Sequence, residues 1–109
     1  MNKSLLCLLA TCALLPAFSF AEQRKADDCN LMDRMAESVM KARQHGVPMA
    51  EMYKASVTGE DHTSKVFKML IDGAYREDRF SSEEYQERAV VKFRDVIFQS
   101  CLKSNESQS

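Results

Sequence analysis

Apolar residues recur at three- and four-residue steps over most of the chain, the spacing of one face of an α-helix. The pattern predicts helices over about 28–45, 48–57 and 63–76, then a long fourth helix that starts at Ser81 and ends just past Cys101. We therefore predict an all-α fold, a small and irregular four-helix bundle closed by one disulfide between the first and last helices.

The corner between the first two helices is the best-defined local feature. Gly46 ends a helix readily, because glycine adopts the left-handed conformation that often follows the last turn. Arg43 and His45 lie in that last turn, where positive charge is favourable. Val47 precedes Pro48 and is therefore biased towards extended backbone, whereas Pro48 suits the first position of a new helix. We predict that Gly46 and Val47 alone form the joint.

The apolar stripes predict how the helices pack. Helix one presents a methionine-rich stripe, made of Met32, Met35, Ala36, Val39 and Arg43, one turn after Cys29. Helix four has the widest stripe, made of Tyr85, Ala89, Val90, Val91, Phe93, Val96, Ile97, Phe98 and Cys101. We expect helix four to be the most buried helix and to contact several neighbours.

Two local signals add detail to the third and fourth helices. Gly73 lies inside helix three, where glycine costs about 1 kcal/mol relative to alanine, so we expect another helix to approach closely there. Ser81 and Glu84 have the spacing of a capping box at the start of helix four, and Phe80 has the position of a hydrophobic staple with Tyr85.

The first 21 residues have the features of an export signal. Lys3 is followed by an apolar run from Leu5 to Leu15, and Ser19-Phe20-Ala21 places small residues at the cleavage positions. We expect cleavage after Ala21, which makes residues 22–109 a single exported domain in the periplasm or outside the cell. The run is short for a membrane span, so we expect no stable membrane anchor.

Two of the four cysteines remain after removal of the signal, Cys29 and Cys101. In an oxidising compartment such a pair forms a disulfide, and a small domain benefits from the added stability. The sequence contains no Cys-x-x-Cys motif, which is the pattern that would indicate a redox role.

Charge and composition exclude several classes of function. The whole chain carries 15 Lys and Arg residues against 16 Asp and Glu residues, and the positive residues alternate with acids, so we expect no nucleic-acid partner. The sequence contains no phosphate-binding glycine loop, zinc-ligand spacing or nucleophile motif. We predict no enzyme, no catalytic residues and no cofactor, and we expect disorder over 22–25 and 103–109.

The methionines raise one chemical possibility. The pairs Met32-x-x-Met35 and Met49-x-x-Met52 resemble thioether pairs that hold Cu(I), with His45 and His62 as further ligands. Core packing explains methionines at this spacing more simply, so no metal site is predicted and Cu(I) binding ranks as the lowest alternative.

Five residues near the two turns are the candidate partner-binding residues: Arg43, Gln44, Tyr75, Arg79 and Phe80. Aromatic residues and arginines are the types that dominate binding energy at interfaces. Each also has a structural interpretation, since Arg43 can be held by a carboxylate or by free carbonyl groups at a helix end.

The order of these motifs resembles an uncharacterised family of small exported helical proteins from bacteria and prophages. The resemblance rests on Cys29, on Arg43-Gln44-x-Gly46-Val47-Pro48-Met49, on Ala74-Tyr75, Phe80-Ser81 and Glu84-Tyr85-Gln86, and on Cys101. It covers nearly the whole mature chain and implies a helical envelope protein, without assigned catalytic or binding residues.

Two functions remain open at this point. The first is a binding or interaction protein with one envelope partner. The sequence specifies neither the identity of that partner nor the oligomeric state. The alternative is a periplasmic stress chaperone, which would expose apolar surface on partial unfolding and bind many clients.

Overall fold

The computed structural model describes residues 20–107, and these form four helices without any strand. They are α1 (Phe20–Gln44), α2 (Met49–Ser56), α3 (His62–Arg76) and α4 (Glu83–Ser107). The predicted all-α class and the number of helices are confirmed. Residues 1–19 of the predicted export signal lie outside the described part. None of the four helices combines the length and the apolar content needed to cross a membrane.

The central helix is α1, whereas the sequence predicted that α4 would be the most buried. Helix α4 packs along α1, α3 packs against α1, and α2 packs mainly against α3. Four residues of α1 have no solvent exposure at all: Cys29, Ala36, Val39 and Met40. In α4 only Val90, Phe93 and Cys101 are buried. The prediction was wrong because the short α2 lies on α3 and leaves much of α4 uncovered.

The hydrophobic core lies where α1, α3 and α4 meet. Helix α3 contributes Val66, Leu70, Ile71 and Ala74, which pack against the buried residues of α1 and against Val90 and Phe93. The expected close approach at Gly73 is confirmed, because a Cβ atom built there would lie 3.4 Å from the Phe93 ring. The group that lies close to Gly73 is thus one aromatic side chain of α4.

The predicted disulfide joins Cys29 of α1 to Cys101 of α4, across 72 residues and with 5.6 Å between the Cα atoms. One turn beyond it, the Asn105 amide donates to the carbonyl of Lys25, with an N–O distance of 3.3 Å. The start of α1 and the end of α4 therefore support one another. Both helices extend further than predicted and include 22–25 and 103–107, for which the sequence predicts disorder.

A cluster of charged side chains joins the middle of α1 to α4. The Arg94 guanidinium donates from Nε and Nη2 to the two Asp33 oxygens, at 3.0 and 2.8 Å, and its Nη1 lies 2.9 Å from Glu37 Oε2. The hydrogen bond from Arg94 holds the pKa of the Asp33 carboxyl below its usual value. The pKa of Glu37 is also lowered, first by a hydrogen bond from Lys41 and then by the charge of Arg94.

The starts of α2, α3 and α4 each differ from prediction by one residue, and α3 begins at His62 where 63 was predicted. Pro48 has extended backbone and is the N-cap of α2, so the first helical residue is Met49. At α4 the cap is Ser82, whose Oγ accepts the Tyr85 N–H at 3.3 Å. The predicted capping box of Ser81 and Glu84 is therefore not formed. Either of two adjacent serines can cap a helix, and the register is decided by how the preceding loop is held.

Candidate functional site

The corner between α1 and α2 is built on Gly46, which has a φ of +84°. The Val47 N–H donates to the carbonyl of Ala42 at 3.0 Å, and the Gly46 N–H donates to the carbonyl of Arg43 at 3.1 Å. These two bonds are the Schellman arrangement, which satisfies the last carbonyl groups of a helix. Gly46 ends α1 as predicted, but the joint comprises residues 45–48 and not Gly46 and Val47 alone. The fixed corner positions the side chains around it.

Gln44, the last residue of α1, holds the loop between α3 and α4. Its side chain is only 1% exposed. Its amide nitrogen donates to the carbonyl of Asp78 at 2.8 Å, and its amide oxygen accepts the Phe80 N–H at 2.9 Å. One buried amide thus satisfies two backbone groups of a loop that is distant in sequence.

Two arginines bind the same junction from opposite sides. Arg43 donates from Nε and Nη2 to the carbonyl of Glu77, at 3.2 and 3.0 Å. Arg79 donates from Nε to the Gln44 carbonyl at 3.1 Å, and its guanidinium lies directly on Gly46. The carbonyl group that holds Arg43 belongs to the α3–α4 loop, not to the end of its own helix.

Tyr75 connects α3 to the same corner. Its hydroxyl donates to the carbonyl of Val47 at 2.6 Å, and the Arg43 guanidinium lies 5.4 Å from the centre of its ring. Burial raises the pKa of the Tyr75 hydroxyl above its usual value. The phenol therefore stays protonated and remains a hydrogen-bond donor at neutral pH.

Two exposed aromatic side chains lie where the α3–α4 loop enters α4. Phe80 is 38% exposed and Tyr85 is 53% exposed, and their rings pack at 5.9 Å between centres. The Phe80 backbone is held on both sides, since its carbonyl accepts a 2.7 Å hydrogen bond from the Gln86 side chain. The Arg88 guanidinium lies 5.4 Å from the Tyr85 ring centre and pairs with Glu84.

A cavity of about 160 Å³ opens beside this aromatic pair. Its base is apolar, formed by the buried Met40 and Phe93, and its edge carries the cations of Arg88 and Lys92 together with Glu77. Such a cavity can accept one apolar side chain or ring, and a carboxylate attached to it would meet Lys92 and an Arg88 that already pairs with Glu84. We call Phe80, Tyr85, Arg88 and this cavity the corner surface.

The structure brings all five sequence-predicted residues to one junction. The side chains of Arg43, Gln44, Tyr75 and Arg79 each make at least one hydrogen bond within the chain, and of the five only Phe80 contributes to the corner surface. Sequence reasoning missed Tyr85 and Arg88 as site residues. Tyr85 was assigned to the packing stripe of the fourth helix, and its contact with Phe80 was interpreted only as a staple.

Among the described residues, no group of three His, Cys, Asp or Glu side chains is placed to hold a metal ion. No family model, curated protein or solved structure matches the chain.

Proposed function

We propose that the chain is an exported interaction protein that binds one envelope protein through the corner surface. The observation that carries the proposal is that an exposed aromatic pair is displayed on a loop fixed by a buried amide. Gln44 holds the loop at Asp78 and Phe80, so little conformational freedom remains to be lost on binding. Tyrosine and arginine, both present here, are the residue types enriched at binding hot spots.

The chemistry of the corner surface suggests what the partner presents. An apolar side chain of the partner would enter the cavity beside Phe80, and a neighbouring carboxylate would face Arg88 and Lys92. Charge-assisted hydrogen bonds from arginine to a carboxylate would fix the orientation of the complex. The expected partner therefore presents an apolar residue beside an acidic one.

Crosslinked pull-down of the tagged protein from envelope extracts tests the proposal, with identification by mass spectrometry against a tag-only sample. We expect one stoichiometric partner, which is lost when Phe80 and Tyr85 are both replaced by Ala. The matched control is Tyr53→Ala, since Tyr53 is a 41% exposed aromatic residue on α2, outside the corner surface. Retention of the partner by the Phe80, Tyr85 variant would contradict the proposed surface.

The alternative function, a periplasmic stress chaperone, is supported by a different observation. Helix α4 exposes Val91, Val96 and Leu102 by 40–54%, and its central contact with α1 depends on the ionised Asp33 and Glu37. Acid would neutralise both carboxylates and loosen α4, which the disulfide would keep attached at one end.

Dye binding and aggregation assays over a pH series distinguish the two functions. A chaperone would bind an apolar dye and protect unrelated clients only below about pH 4, where carboxylates become protonated. A protein that stays folded and inactive in acid, and captures one partner at neutral pH, is an interaction protein.

A further inference from the structure

A second groove, remote from the corner surface, lies at the disulfide end of the molecule. It has a volume of about 320 Å³ and is formed by α1, the start of α3 and the end of α4. Two thioethers and an imidazole line it, those of Met32, Met35 and His62. These are soft or intermediate ligands from two different helices, collected around one space.

The fold selects these three residues from a larger set of equivalent ones. Met32 and Met35 share a face of α1 because they are three residues apart, and His62 lines the same groove because it begins α3, which packs on α1. By contrast, Met49, Met52 and His45 do not line this groove. The structure thus distinguishes two Met-x-x-Met pairs that look alike in sequence.

The two methionines are only partly buried, although they touch the core. Both pack against its edge and line the groove, unlike Met40, which has no exposure. Contact with the core therefore leaves part of each methionine side chain exposed in the groove. Methionine side chains are also flexible enough to turn a sulfur atom towards a ligand without moving the helix.

We propose that this groove binds a single soft cation, Cu(I), through the sulfur atoms of Met32 and Met35 and an imidazole nitrogen of His62. Thioether ligands favour Cu(I) over the harder divalent ions, and imidazole suits copper as well. The two cysteines nearby contribute no thiolate, because they are joined in the disulfide.

Competition with a chromophoric Cu(I) chelator, under anaerobic conditions with ascorbate, tests the proposal on the disulfide-bonded protein. We expect one Cu(I) per chain, with loss of binding in the variant Met32→Leu, Met35→Leu. The control Met49→Leu, Met52→Leu has the same two substitutions at the same spacing and should bind as the wild type does. Methionine to leucine changes preserve volume, so both variants should fold.

The histidines provide a second matched pair. His62→Gln should weaken Cu(I) binding by about tenfold or more, which corresponds to 1.4 kcal/mol, and His45→Gln should leave it unchanged. In methyl NMR spectra, addition of Ag(I) as a redox-inert substitute should shift the Met32 and Met35 signals selectively. Absence of binding, or equal loss in the two methionine variants, would overturn the proposal.

Discussion

Gln44 shows how a single residue can define a surface that it does not itself expose. A glutamine beside an arginine at the end of a helix is typical of solvated surface, yet this side chain is almost completely buried. Its carboxamide supplies both a donor and an acceptor, which is what a loop with one free carbonyl and one free N–H requires. The corner surface therefore depends on a residue beneath it.

Replacing Gln44 with Leu keeps the approximate volume but leaves the Asp78 carbonyl and the Phe80 N–H without partners. We expect the free energy of unfolding to fall by about 2 kcal/mol and the Phe80 amide to exchange faster with solvent. Urea denaturation and hydrogen exchange measure the two effects. Gln99→Leu, at an exposed position of α4, should change neither.

Gly46→Ala should destabilise the protein by about 1–2 kcal/mol, because φ is positive at this residue and only glycine adopts that region readily. The new Cβ would also lie 2.8 Å from Arg79 Nη2 and would displace that side chain. Gly59→Ala is the control, since its nearest atom would be 3.8 Å away. Equal unfolding midpoints in denaturant for the two variants would contradict this account of the corner.

At the residue scale, the sequence predicted the roles of two glycines correctly but placed the caps of α2 and α4 one residue early. Gly46 was identified because the left-handed conformation is a property of one residue, and Gly73 because glycine is unfavourable in a helix. The burial of Gln44 could not be predicted, since its partners Asp78 and Phe80 are more than 30 residues away. The sequence placed the five candidate residues near the same two turns, but it did not predict the hydrogen bonds that hold most of them.

At the scale of elements, three charged side chains join the middle of α1 to α4. Arg94 makes a two-pronged contact with Asp33 and a further one with Glu37, so both acids lie across from one cation. A carboxyl with a lowered pKa in the folded protein stabilises the fold above its unfolded pKa. That contribution is lost as the pH falls through the lower, folded value.

We therefore expect stability to decrease below about pH 4, and Asp33→Asn to remove part of that decrease. At pH 7 the same substitution should lower the free energy of unfolding by about 1 kcal/mol. Urea denaturation at pH 7 and pH 3 provides both values. Asp72→Asn is the control, because Asp72 pairs with Arg76 within α3 and does not join two helices. An identical pH dependence in the wild type and Asp33→Asn would refute the role of this cluster.

The elements themselves were predicted more accurately than their arrangement. Apolar periodicity identified four helices, since that pattern is fixed by the 3.6-residue repeat. It could not show that α2 would cover α3 and leave Val91 and Val96 exposed on α4. A wide apolar stripe has the same appearance in sequence whether its neighbours are part of the same chain or of a partner.

At the scale of the whole molecule, each end of α1 is fixed to a distant part of the chain. The disulfide holds the first part of α1 to the end of α4, and the Gln44 junction holds the other end of α1 to the α3–α4 loop. We expect reduction of the disulfide to lower the free energy of unfolding by about 2–4 kcal/mol, because the closed loop is long.

Urea denaturation with and without a phosphine reductant measures that change. Intact mass after alkylation confirms that two thiols were released. Cys29→Ser, Cys101→Ser should match the reduced wild type and be insensitive to the reductant. A reduced protein as stable as the oxidised one would show that the disulfide contributes nothing to the fold.

The position of α1 at the centre has a consequence for how the protein is made. Translation produces α1 first, but α4, which packs along it, is completed last. The face of α1 that packs on α4 is therefore left uncovered until α4 has been synthesised. A product terminated before residue 101 would lack Cys101 and the end of α4, so incomplete chains should be readily degraded by proteases.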